Sequence, residues 1–398
     1  MFKDELMKKY TLVIILIGLF SYSQAQKKGI PAVPIDTTYS LLSNPYVQME
    51  ATQAINDMYN FKFERSMSHF RFLKNEYGWH PLPYFLMGLN YFWRILPNFN
   101  NEQYDETFYA YMDTSMVLAE RLYKDYNKVE GAFFMAATYA FKGRLHSERK
   151  DWGRAASAGK NALKYLEECK GNGDLSPELL FGDALFNYYA EWVPENYPLL
   201  KPIMSIFPDG DKEKGIEQLK IVARNAFYTR TEAQYYLMRI SYFEENDMVH
   251  SMQLAEYLHE TFPYNAYFHR FYTRLLYQSG KYKQAVEESK SMINRIDSAY
   301  AGYEYNSGRY AAFFIGHISE LRGDLETAKK YFKLAMEYGE YAEATDMGYY
   351  IYSVLHLGRI AMREEDKELA KQYFKDVKKL TKRSHSANKE ARARLDDL

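Results

Sequence analysis

A chain of 398 residues, 47% hydrophobic and 26% charged, can bury a large core, which excludes a disordered or collagen-like polymer. Its 51 Lys and Arg stand against 52 Asp and Glu, a formal net charge of −1, so bulk electrostatics favour neither nucleic acid nor an anionic membrane surface. A single cysteine, Cys169, excludes a disulfide framework, and Glu167 and Glu168 beside it argue against a reactive thiolate.

Residues 1–25 read as a secretory signal. Lys3, Lys8 and Lys9 charge the front, Tyr10 to Phe20 form an apolar run, and Ser23-Gln24-Ala25 supplies small residues at a cleavage site. A permanent span needs ~20 apolar residues, so this run is short for an anchor. No cysteine follows it for bacterial lipid attachment. The expectation is an exported chain in the periplasm or on the periplasmic face of the outer membrane, with no integral span after cleavage. N-terminal sequencing of the exported chain should therefore begin at Gln26, and Met1 retained in the envelope fraction would contradict this.

Residues 26–45, with Pro31, Pro34 and Pro45, read as a linker. From residue 46 to 225 the pattern is helices in pairs. Ile55–Tyr59 returns through Ser66, Phe70 and Leu73. After Pro81 and Pro83, Tyr84–Tyr91 pairs with Tyr109–Tyr123. Ala132–Glu148 pairs with Trp152–Glu168, and Leu179–Phe186 pairs with Lys212–Asn225 across a proline-rich insertion at 194–210. Residues 226–380 repeat more regularly, with small or polar positions at Ser251, Ala285, Ala328 and Ala370. From Lys378 the apolar face fades, so 381–398 read as a solvated basic tail.

In Ala312–Met336, Ile315, Gly316 and Ser319 lie on one helical face. Gly323-Asp324 breaks the run, and Ala328, Phe332 and Ala335 mark a second helix. Gly358, Ala370 and Phe374 repeat the pattern. This resembles the tetratricopeptide repeat, a helix–turn–helix unit of about 34 residues. The expected fold is all-α, a tetratricopeptide-repeat-like superhelix (α-solenoid) of about eight antiparallel helix pairs.

A sharper likeness lies in Leu180-Phe181-Gly182-Asp183-Ala184-Leu185-Phe186-Asn187, followed by Pro194, Pro202 and Phe207–Leu219. These residues resemble the tetratricopeptide repeat protein 39 family, whose fungal branch includes an inclusion-body clearance protein. The resemblance implies an all-helical scaffold without catalytic residues. The secretory signal departs from that intracellular family, so its clearance and lipid-droplet roles do not carry over.

No catalytic motif emerges from the chain. Gly153 to Asn161 imitates a phosphate loop, but five residues separate its glycines and Asn161 stands where Ser or Thr would bind magnesium. His259-Glu260 lacks a second histidine at the spacing of a helical zinc site. Catalytic residues, cofactors and metal ligands are therefore expected to be absent, as is nucleic-acid binding.

The repeat register sets Tyr310, Phe313, His317 and Glu320 on the face that lines the inner groove in such repeats. Tyr267, Arg270, Arg274 and Tyr277 occupy the same slots one unit earlier, and Tyr352, Leu355, Arg359 and Met362 one unit later. Planar cations beside tyrosines suit a carboxylate-bearing peptide segment. The plainer expectation is that acids such as Glu304 or Glu320 already pair with these arginines. The functional expectation is a non-enzymatic exported scaffold for protein–protein interaction, an accessory subunit of a bacterial envelope complex for assembly, secretion or transport. The alternative is a nutrient- or glycan-binding protein resembling the starch-utilisation receptors, which usually carry the lipid-attachment cysteine missing here.

Overall fold

The computed structural model describes residues 40–169, 171–172, 176–198, 201, 205 and 207–398. The segment read as a signal (1–25), most of that read as a linker (26–45) and part of the 194–210 insertion lie outside them. The described residues hold seventeen α-helices and no strand. None of these helices is long and apolar enough to cross a membrane.

The helices are α1 (Pro45–Tyr59), α2 (Phe63–Tyr77), α3 (Pro81–Ile95), α4 (Asp105–Asp125), α5 (Lys128–Glu148), α6 (Trp152–Glu167), α7 (Leu180–Asn196), α8 (Lys212–Asn225) and α9 (Arg230–Phe243). They continue as α10 (Met248–Thr261), α11 (Ala266–Gln278), α12 (Tyr282–Asp297), α13 (Tyr305–Leu321), α14 (Leu325–Tyr341), α15 (Gly348–Arg363), α16 (Lys367–Leu380) and α17 (Ser386–Asp396). They fall into two compact units, one of residues 40–95 and 99–254, the other of 96–98 and 255–398.

One turn recurs between helices. Phe61, Lys150, Asn246, Gly280, Gly323 and Glu365 all have positive φ, and the residue after each opens the next helix. Asp151, Asp247, Asp324 and Asp366 then cap that helix, each accepting a bond from the backbone N–H three residues on. A left-handed residue reverses the chain, and the aspartate satisfies an N–H that the helix itself leaves open. Glycine takes this conformation without strain at Gly280 and Gly323.

In the first unit α1, α3 and α5 pack on one another as well as on their sequence neighbours. In the second, α11, α13, α15 and α17 do the same. Ser251, Ala285, Ala328 and Ala370 are all fully buried. A Cβ on Gly316 would meet the Phe332 ring at 3.0 Å, and one on Gly358 would meet Phe374 at 2.7 Å. The same glycine-to-phenylalanine approach thus recurs in both helix pairs.

Within the 194–210 insertion, α7 runs through Pro194 to Asn196. So near a C-terminus a proline removes only a bond of the last turns, and the helix survives. One expectation needs correction: the chain after Lys378 is not a solvated tail. There α17 buries Ala387, Asn388 and Ala391, and Asn388 Nδ2 donates to the Lys378 and Thr381 carbonyls. Alanines four apart form an apolar stripe too narrow to stand out among charged neighbours.

Candidate functional site

The cations and rings that the repeat register selects bond mostly to one another and to neighbouring helices. Arg270 is buried and donates to the Pro97 carbonyl (3.0 Å) and to Ser307 Oγ (3.1 Å), with its guanidinium near the Tyr267 ring. Arg274, also buried, donates to the Tyr310 hydroxyl at 2.8 Å. Tyr277 shares a 2.8 Å hydrogen bond with His317 Nδ1 and stacks on Phe314. Phe313 stacks against His317 and packs on Tyr349. Tyr352 pairs with Ser386, and Arg359 makes a fork to Glu390 at 2.7 and 2.6 Å. Glu320 pairs with His356 and Arg363 rather than with the groove arginines. These cations and tyrosines tie one helix to the next.

Among the described residues, an opening lies in the first unit. Residues of α3, α5, α6, α7 and the start of α9 enclose a cavity of about 250 Å³ that opens to solvent on one side. Its walls are almost wholly apolar. The space exists because α5 presents Ala136, Ala137 and Ala140 between Phe133 and Phe141, while α6 and α7 face it with Gly159, Ala162 and Gly182. Phe85 fixes the aromatic wall by edge contacts to Phe134 (5.9 Å) and Phe141 (5.8 Å), in the offset geometry that rings prefer.

An arginine and a glutamate interrupt the apolar lining. Arg144, 5% exposed, comes one turn after Ala140 on α5, and Glu232, 2% exposed, lies in the first turn of α9. Arg144 donates to the Tyr235 hydroxyl (2.6 Å) and the Tyr236 hydroxyl (3.3 Å), and lies 4.9 Å from the Phe92 ring centre. Glu232 Oε1 accepts from Trp93 Nε1 (2.8 Å) and from the Tyr59 hydroxyl (3.3 Å). Burial raises the Glu232 carboxyl above its ordinary value, and the Arg144 charge partly opposes that rise. Arg144 Nε and Glu232 Oε2 are buried without a hydrogen-bond partner among the described residues. Buried polar atoms left in this state are costly.

Glu178 sets the start of α9. Its carboxylate accepts from the N–H groups of Phe227, Tyr228 and Thr229 and from the Thr229 hydroxyl. That fills the helix N-terminus from inside the protein, so this N-terminus is not an anion site. Cys169 also lines the cavity, and burial pushes its thiol up to about 12, in keeping with an unreactive sulfur.

Arg144 and Glu232 are not among the residues that sequence reasoning selected. A signal for Arg144 was present: a cation four residues after Ala140 and three after Phe141, in line with the apolar face of Phe133, Ala137 and Ala140. Glu232 offered no comparable signal, because an acid in a first helical turn is ordinary. No protein-family model matches the chain, and no curated protein matches it.

Proposed function

We propose that the chain is a non-enzymatic, exported scaffold of tetratricopeptide-like helix pairs, an accessory subunit of a bacterial envelope complex, and that it holds an acyl chain of a lipid or lipidated partner in the cavity of its first unit. The cavity carries this reading. Scaled from a 150 Å³ cavity that takes up benzene, its volume suits roughly ten non-hydrogen atoms. Its lining suits hydrocarbon, and Arg144 is the one cation among its lining residues, a counter-charge for an acyl carboxylate. The recurring Gly–Phe contacts support the repeat reading, and the segment before Gln26 supports export. A glycan is the weaker occupant, since its hydroxyls would face an apolar wall without partners.

Calorimetric titration with octanoic acid, which has about ten non-hydrogen atoms, tests the reading. The expected result is saturable binding of one equivalent. Ala137→Trp, which fills the cavity from α5, should weaken binding at least ~10-fold, about 1.4 kcal/mol, with helicity unchanged. Absence of saturable binding, or equal binding by the filled variant, would overturn it. Organic extraction of chain isolated from envelopes separates the sources: a free lipid leaves with the solvent, whereas a lipidated partner stays with the protein.

A further inference from the structure

The second unit holds a different cluster. His259 comes from α10, the fully buried His269 from α11 and Glu288 from α12. Glu288 Oε2 lies 2.9 Å from His269 Nε2 and 3.6 Å from His259 Nε2, and one ligand atom from each residue falls within 4.8 Å of the others. The two imidazoles stack with centres 4.6 Å apart, and the Tyr272 ring also stacks with His259 at 5.3 Å.

We propose that His259, His269 and Glu288 form a binding site for a divalent transition ion of the zinc class, clipping three successive helices together. Two imidazole nitrogens and one carboxylate oxygen are the donor set such ions select. Tetrahedral zinc with bonds of ~2.0–2.1 Å separates its ligand atoms by about 3.4 Å, close to the spacings already present. The outer partners are also in place. His269 Nδ1 lies 2.9 Å from the Tyr303 hydroxyl, and Arg295 Nη1 donates to that hydroxyl and to the Pro263 carbonyl. A histidine held through one nitrogen keeps the other aimed at the ion, and Tyr303 holds the ring that way. The arginine is held by the tyrosine and the carbonyl, so it does not occupy the centre of the cluster.

Both Nε2 atoms, of His259 and of the fully buried His269, face the same carboxylate oxygen, so the three ligand atoms converge on one point. The ligands come from three helices and are separated by ten and nineteen residues (259, 269, 288), so no local motif announces them.

Cobalt(II) titration of the full chain, freed of metal by a chelator, is the test. One equivalent should bind with the visible absorption of a tetrahedral ion, and zinc should displace it. His259→Asn and Glu288→Gln, at half-buried positions, should each weaken affinity on the order of 100-fold, and Tyr303→Phe on the order of 10-fold. His250→Asn, which changes an exposed histidine, should leave affinity unaltered. The assignment fails if the chain retains no ion, or if either ligand variant binds as the parent does. Metal affinity is read independently of acyl-probe binding, so the two assignments stand or fall separately.

Discussion

Arg144→Met should cost about 3 kcal/mol of stability, and adding Glu232→Gln should recover most of it. Arg144 is the cation that opposes the rise of the Glu232 carboxyl, so removing it leaves a buried acid uncompensated. It also takes a donor from the hydroxyls of Tyr235 and Tyr236. The double variant buries no net charge, so the two effects should be strongly non-additive. The sign with pH follows from the same carboxyl. Its folded-state pKa lies above the ordinary 4.5, so the folded protein holds a proton that the unfolded chain gives up. That contribution is fully present below pH 4.5 and is lost as pH rises through the folded value. Glu232→Gln alone should therefore gain on the parent as pH rises from 4.5 toward neutrality, and the gain should be larger in the Arg144→Met background. Denaturant melts of the four proteins at pH 5 and pH 8 check this. A single variant as stable as the parent at both would show that the two groups are uncoupled.

Gly131→Val should be more damaging still, with a loss of 3 kcal/mol or more. Even an alanine Cβ at this position would lie 2.3 Å from the Tyr123 nitrogen and 2.5 Å from its Cα. Backbone cannot rotate away as a side chain can, so α4 and α5 would have to part where α5 begins to build the cavity wall. Gly153 on α6 is the matched control, since nothing lies within 4 Å of a Cβ there. Gly153→Ala should be neutral or stabilise by up to about 1 kcal/mol. Equal effects at the two glycines would remove the argument from close approach.

The helical architecture was legible because its determinants are local. Gly316 with Phe332, and Gly358 with Phe374, each lie within one helix pair, and the same spacing announces both contacts. The turns were legible only in part: Gly323-Asp324 reads as a break, whereas Lys150-Asp151 and Glu365-Asp366 use non-glycine residues in the same left-handed conformation. The proposed binding features were hidden for the opposite reason. The cavity is a shortage of volume shared by Ala137, Gly159 and Gly182 on three helices, and no stretch of sequence records volume that is missing. The arginine row was visible, but helical spacing does not tell a cation facing solvent from one buried under the next helix. Arg270 reaches a carbonyl far away in the chain, and Arg359 reaches Glu390 in a segment that read as tail.

Photocrosslinking tests the central claim most directly. A fatty acid carrying a diazirine near its methyl end, irradiated with the full chain and mapped by peptide mass spectrometry, should label α3 and α5, around Leu86 and Ala137. Labelling should fall away in Ala137→Trp. Adducts confined to other helices, or labelling that unlabelled fatty acid does not suppress, would contradict the account.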